Sequence, residues 1–127
     1  MFMRFREWAR PLAVDRTART LILIALVANL LSWLTVVARL APSIVGRRII
    51  ALHYSIYLGV DAVGPAWQAL ALPAIGTLII VMNAALARLA YVRQSRSAAL
   101  VLLGLTALIE SLALVASVYL VLINLRV

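Results

Sequence analysis

Three long apolar segments, separated by shorter polar ones, dominate the pattern of this chain. They cover about residues 20–40, 68–90 and 98–124. Each reaches the roughly 20 apolar residues that a helix needs to cross the hydrocarbon core of a membrane. The pattern predicts an all-α transmembrane fold, in which three spanning helices form a membrane domain over residues 20–127.

The first apolar segment also has a feature of a cleavable signal peptide. Val36, Val37 and Ala38 resemble the small residues that precede a cleavage site. The apolar stretch is longer than the ~7–15 residues that are usual in signal peptides, which favours a retained span. Cleavage would leave two spans rather than three.

The connection between the first two spans, residues 41–65, is less apolar and is interrupted by proline and glycine. From His53 to Asp61, apolar and polar residues alternate, which is typical of an extended segment. We therefore expect a short extended connection, possibly a β-strand. A helical alternative remains open, because Ile49, Leu52, His53 and Ile56 also fit one helical face.

The composition agrees with a membrane protein. Of the 127 residues, 66% are hydrophobic and 13% are charged, whereas soluble domains carry about 25% charged residues. These values exclude a soluble globular enzyme, a disordered tail and a disulfide scaffold. With no cysteine and one histidine, the chain offers no thiolate or histidine-rich metal site, and we expect neither a metal nor a cofactor.

The arginines predict the orientation in the membrane. All twelve basic residues are arginine, a bias that is typical of GC-rich bacterial genomes. Five precede the first span, within residues 1–19, and three lie at 88–96. The other side carries four: Arg39, Arg47, Arg48 and Arg126. Because the cytoplasmic side carries the excess of arginine, we expect a bacterial inner membrane protein with its N-terminus inside and its C-terminus outside.

The basic segment 1–19 is expected to contact anionic lipid head groups, either as an interfacial segment or as a frayed tail. In the interfacial interpretation, Phe2, Phe5 and Trp8 dip into the membrane surface, although Pro11 interrupts a helix through this segment. We do not expect nucleic-acid binding, because no soluble element carries a basic stripe with interleaved aromatic residues.

Polar residues fall at similar depths in the three spans. Counting ~1.5 Å per residue places Asn29 about 15 Å, Thr77 about 16–17 Å and Glu110 about 18 Å from the inner edge. A charged residue at this depth costs about 2.5–3.5 kcal/mol, so Glu110 should face protein or a water cavity. Two hypotheses stay open: a protonatable site, or a packing hydrogen bond that fixes the register of the helices.

Small and polar residues form a seam along each span, at helical spacing, where neighbouring helices can approach closely. The first span carries Ala25, Asn29, Ser32 and Arg39. The third span carries Thr106, Glu110, Ala113, Ser117 and Asn124, and the second carries Gly76, Asn83 and Ala87.

The outer connection carries the residues that we expect to dock on a partner. They are Arg47, Arg48, His53, Tyr54, Tyr57 and Asp61. Paired arginines suit an anionic head group or the carboxylates of a partner, although a solvated loop is an alternative. Tyrosines at the edge of a span are also ordinary interface anchors. A catalytic or metal-binding role for His53 and Asp61 is not favoured, because no third ligand or nucleophile accompanies them.

One stretch resembles a recurrent group of small, uncharacterised bacterial integral membrane proteins. The run LHYSIYLGVDAVGPAWQ, residues 52–68, precedes LPAIGTLIIVMNAALA and a long apolar span that contains VLIN. In that group, a pattern like LHY-x-IY-x-G-x-D-x-x-G precedes two closing membrane helices. The resemblance covers about residues 49–124. It implies that the outer connection docks on something, and it implies no activity.

Three classes of function fit these features. We expect a non-catalytic accessory or assembly subunit of a larger membrane complex, with a protein partner or a second copy of the chain in the membrane. The alternative is a small oligomeric transporter or proton-coupled protein that uses Glu110. A membrane enzyme is the least favoured class, because four acidic residues and one histidine leave little from which to build a catalytic site.

Overall fold

The computed structural model describes residues 12–125, which form three long helices and one β-hairpin. The helices are α1 (Arg16–Val45), α2 (Ala71–Val92) and α3 (Arg96–Leu125). The strands are β1 (Ile49–Ser55) and β2 (Gly59–Pro65), and a 3₁₀ helix, Ala66–Leu70, leads from β2 into α2. The head-group contacts expected of residues 1–11, and Arg126, lie outside the described residues.

Three helical segments are long and apolar enough to cross a membrane, as the hydropathy pattern predicts. The first begins at Arg16 rather than at residue 20 and continues to Val45 rather than to residue 40. The early start follows from Asp15, whose carboxylate accepts hydrogen bonds from the first free backbone N–H groups of α1.

The predicted extended connection is confirmed, but it is a hairpin rather than one extended run. The strands are antiparallel, and Tyr54 pairs with Val60 while Ser55 pairs with Gly59. The alternation from His53 to Asp61 therefore continues through a turn at residues 56–58. The helical alternative for this connection is wrong.

The second span starts with a change of helix type. The 3₁₀ helix and α2 together make one span, Ala66–Val92. Pro73 lies in the first turn of α2. Backbone N–H groups in a first turn have no intrahelical partner, so the missing N–H of Pro73 costs this helix no hydrogen bond.

The three helices pack as a bundle in which α1 and α3 run in the same direction and α2 runs opposite to both. The contact between α1 and α3 is the most extensive, and α2 packs more on α3 than on α1. We call the two ends of this bundle the hairpin end and the Asp15 end. An apolar cluster lies near each end. At the hairpin end it comprises Val36, Leu40, Ile50, Ala66, Ala69, Leu120 and Val121.

Most members of the predicted seams are buried. Asn83, Ala113 and Asn124 are half-buried, and one member is exposed. Ala25, Asn29 and Ser32 are buried on α1. Thr106, Glu110 and Ser117 are buried on α3, and Gly76 and Ala87 on α2. Arg39 is exposed, so the prediction that it lies on the α1 seam is wrong. Its position near the hairpin end lets the guanidinium reach a polar region.

Candidate functional site

Asn29, Thr77 and Glu110 meet in the middle of the bundle, one from each helix. The Asn29 side-chain amide donates one hydrogen bond to Glu110 Oε2, at 3.0 Å, and one to the backbone carbonyl of Pro73, at 3.0 Å. All three helices are therefore joined at one amide group. We refer to Asn29, Thr77 and Glu110 as the central layer.

Thr77 extends the central layer towards α1. Its hydroxyl lies 2.9 Å from Asn29 Oδ1 and 3.0 Å from the Pro73 carbonyl, and the Trp33 indole N–H donates to it at 3.0 Å. A hydroxyl has one proton, so Thr77 donates to one of the two acceptors at a time. Trp33 was not predicted to contact the central layer. Its position four residues after Asn29, one helical turn away, is the signal that could have identified it.

Gly76 is what allows the central layer to form. A Cβ at this position would lie 2.6 Å from Asn29 Nδ2 and 2.6 Å from Glu110 Oε2. These distances are too short for any side chain, so the carboxyl and amide groups rest directly on the backbone of α2. The small-residue seam of α2 thus serves the polar contact and not only helix approach.

One oxygen of the central layer has no partner. Glu110 is fully buried, and its Oε1 makes no hydrogen bond, nor do the buried hydroxyls of Ser32 and Ser117. Among residues 12–125, Glu110 is the only carboxyl group between the two ends of the bundle. The arrangement is suited to holding a proton on that oxygen or to fixing the helices in register.

A second polar contact joins α2 and α3 between the central layer and the Asp15 end. The Asn83 amide donates to the Thr106 hydroxyl at 2.8 Å, and that hydroxyl donates to the Leu102 carbonyl at 2.8 Å. Both side chains lie on seams that the sequence predicts.

Asn124 fixes the hairpin to α3. Its side chain accepts a hydrogen bond from the Ala51 N–H at 2.9 Å and donates one to the Ala51 carbonyl at 2.8 Å. This pair of bonds imitates the pairing of a neighbouring strand, so α3 protects part of the free edge of β1. The sequence places Asn124 on a seam but gives no sign that its partner is backbone.

His53 and Asp61 form a cross-strand pair on the surface of the hairpin. His53 Nδ1 lies 2.6 Å from Asp61 Oδ1. No group of three or more histidine, cysteine, aspartate or glutamate side chains that could hold a metal ion occurs within residues 12–125. The geometry supports a contact that stabilises the pairing of β1 with β2.

The remaining docking candidates lie on or beside the hairpin. Arg47 and Arg48 are exposed where the chain turns from α1 into β1, and Arg47 adopts a left-handed conformation with φ 52°. The Arg48 N–H donates to the Ser43 carbonyl at 2.9 Å, which closes the end of α1. Tyr54 is exposed on β1, and Tyr57 is exposed at the turn.

A polar junction that was not predicted from the sequence lies at the Asp15 end. Tyr91 donates to Asp15 Oδ2 at 2.7 Å, and the Arg96 Nε donates to the same oxygen at 2.6 Å. The hydrogen bond from Arg96, and then that from Tyr91, lower the pKa of the Asp15 carboxyl well below its usual value. One acidic residue before an apolar helix is a capping signal, so the cap itself was predictable, but its partners were not.

Comparison with known proteins gives no family for this chain: no protein-family profile, no curated protein and no solved structure matches it.

Proposed function

We propose that this protein is a non-catalytic accessory or assembly subunit of a larger membrane complex, and that the hairpin and its lead-in are the docking element. The observation that carries this proposal is the hairpin itself. It is bonded to α3 through Asn124, yet most of its side chains are exposed.

The docking surface has mixed chemistry. Arg47 and Arg48 supply two positive charges at its base, and the His53–Asp61 pair supplies polar groups along the strands. Tyr54 and Val63 add exposed apolar area. Aromatic and arginine side chains are the types enriched in protein interfaces. In this proposal the surface lies outside a bacterial inner membrane, and the excess of arginine towards the other end of the chain's spans supports that orientation.

The decisive experiment is native mass analysis of the tagged protein, extracted from its own membrane in mild detergent. The wild type is compared with a double variant, Arg47→Glu and Arg48→Glu. A matched control carries two equivalent changes at the other end, Arg19→Glu and Arg93→Glu, both at exposed residues. We expect one defined larger mass for the wild type and the control, and loss of that mass for the hairpin variant.

Two results would contradict the proposal. One is a homogeneous assembly that contains only copies of this chain. The other is a larger mass that survives the hairpin variant, since docking would then use another surface. Reconstitution of all three proteins into vesicles checks that each inserts to the same extent.

A second function, a proton-coupled role for Glu110, is favoured by one observation. Its Oε1 is buried and has no hydrogen-bond partner in the middle of the bundle. Glu110→Gln keeps an acceptor for Asn29 and removes titration, so only this second function predicts that the variant loses pH-dependent transport in vesicles. If Glu110→Gln behaves as the wild type in this assay, only the packing role remains for Glu110.

A further inference from the structure

The tip of the hairpin exposes apolar side chains that nothing in the chain covers. Ile56 is 90% exposed, Tyr57 94% and Leu58 79%. No charged residue occurs between Tyr54 and Val60. Exposed apolar groups that are contiguous in this way mark a surface that binds protein or membrane.

The base of the hairpin is fixed, which limits where the tip can lie. The Ala66 N–H donates to the Arg48 carbonyl at 2.9 Å, and Asn124 holds Ala51. Ile50 packs into the apolar cluster at the hairpin end. The two strands therefore leave the bundle where the helices end.

The charges around this base indicate the level of lipid head groups. Arg39, Arg47 and Arg48 are all exposed near the hairpin end. Arginines at the end of a spanning helix extend towards the phosphate region while their apolar stems stay in the membrane. A hairpin that starts at this level and lies along the surface keeps its tip within reach of the membrane.

Exposed aromatic side chains occur both at the hairpin end of the helices and on the hairpin. Trp67 in the 3₁₀ helix and Tyr119 on α3 are both exposed at the hairpin end. Tyr54 and Tyr57 are exposed on the hairpin. Tryptophan and tyrosine are enriched where a membrane meets water, because their rings are apolar and their N–H or O–H groups are polar.

We propose that the hairpin lies in the membrane interface and that its tip, Ile56–Leu58, inserts into the lipid surface at the hairpin end of the bundle. The partner of the tip is phospholipid. This inference rests on insertion of the three helices in a membrane. It assigns Tyr57 to lipid and leaves the strands for docking.

The absence of cysteine makes the inference directly testable. Tyr57→Cys in the full chain is labelled with a nitroxide and reconstituted in vesicles of phosphatidylcholine and phosphatidylglycerol. Relaxation of the label by oxygen, which concentrates in lipid, is compared with relaxation by a water-soluble nickel chelate. Two labelled references frame the result: Leu108→Cys, exposed in the middle of α3, and Ser97→Cys, exposed at its first turn.

We expect the oxygen-to-nickel ratio at position 57 to exceed that at position 97 several-fold and to approach that at position 108. Leu58→Cys should give the same result, so one unsuitable label position does not decide the test. Neither side chain makes a contact that folding needs, because both are largely exposed.

Two outcomes would overturn the inference. A ratio at both tip positions no higher than that at Ser97→Cys would show that the tip does not insert below the level of a helix end, and would leave it as a surface for a protein. Protection from both reagents would place the tip inside a contact between copies of the chain. These vesicles contain no other protein, so failure here is distinguishable from failure of the proposed docking, which only the native complex tests.

Discussion

The central layer and the hairpin tip place their side chains in opposite ways. In the middle of the bundle, polar groups are buried and find nearly all of their partners within the chain. At the tip, apolar groups are exposed and find none. The central layer is a closed region, because its polar groups bind one another. The tip is an open region, because its apolar groups are left for a contact outside the chain.

The difference separates what holds the helices together from what meets the surroundings. In lipid, apolar helix surfaces have no hydrophobic reason to associate, so hydrogen bonds and close packing must hold the bundle. The central layer and the glycine beneath it supply both. The tip contributes nothing to the bundle, so its composition has to be explained by an external contact.

The largest loss of stability is expected when a methyl group is added at Gly76, next to the central layer. Gly76→Ala would place its Cβ against Asn29 and Glu110, and overpacking of this kind costs about 1–3 kcal/mol. We expect that loss in the free energy of unfolding, measured by denaturant titration in micelles. Gly104→Ala is the matched control, because nothing beyond its chain neighbours and the adjacent backbone of its own helix lies within 4 Å of its added Cβ. Equal stability of the two variants would mean that the central layer tolerates displacement.

The next largest effect is expected from a double-mutant cycle across the central layer. Asn29→Ala and Glu110→Ala, singly and together, isolate the energy of the 3.0 Å contact between their side chains. Such contacts in membrane bundles average about 0.6 kcal/mol and reach about 1.7 kcal/mol. Because both groups are fully or nearly buried, we expect a value in the upper part of this range. A coupling of zero would show that the two side chains act independently.

The attachment of the hairpin should respond more weakly and only locally. Asn124→Ala removes both bonds to Ala51. Both bonds are only part-buried, so we expect the lower end of the range for neutral hydrogen bonds, about 1 kcal/mol for the two together. We expect faster hydrogen exchange of the Ala51 amide, with little change in exchange at the central layer. Asn124→Asp keeps the acceptor for the Ala51 N–H and loses the donor. Its exchange rate at the Ala51 amide should therefore fall between those of the wild type and Asn124→Ala. If exchange of the Ala51 amide is unchanged in Asn124→Ala, the hairpin is held by the apolar cluster at the hairpin end instead.

The smallest effect concerns the Asp15 end, and it depends on pH. Because Arg96 and Tyr91 lower the pKa of Asp15 in the folded state, its contribution is complete above the usual carboxyl pKa of about 4 and declines as the pH falls below it. Asp15→Asn should lower the melting temperature at pH 6, and the gap to the wild type should narrow towards pH 3. High salt should narrow it as well, because the Arg96 side chain is exposed. A gap that is constant with pH would contradict the ion pair.

The central layer could be predicted because depth along a straight helix is simple arithmetic. Asn29, Thr77 and Glu110 each lie about ten residues from the same edge, and a fixed rise per residue brings them to one level. The polar seams then pointed these side chains inward. Arg39 failed this reasoning because a long charged side chain near the end of a helix can reach a polar region instead of facing a neighbour.

The hairpin could be predicted only in part. The alternation of apolar and polar residues revealed the extended backbone but not the turn. The same alternation occurs in one long strand and in two strands whose turn keeps the alternation in step. The register is irregular near His53 and the strands bulge there, which no local pattern indicates. The partners of Asp15 and Asn124 were also beyond reach, because both contacts depend on how helix ends align in three dimensions.

The central layer has a consequence for the order in which the protein can be made. Asn29 is bonded to a carbonyl 44 residues later in the chain and to a carboxyl group 81 residues later. When the first helix leaves the ribosome, its buried amide therefore has no native partner, and the last one arrives with α3. Because the most extensive contact joins the first helix to the third, the bundle cannot close step by step during synthesis. Its final assembly has to wait for the last helix to enter the membrane.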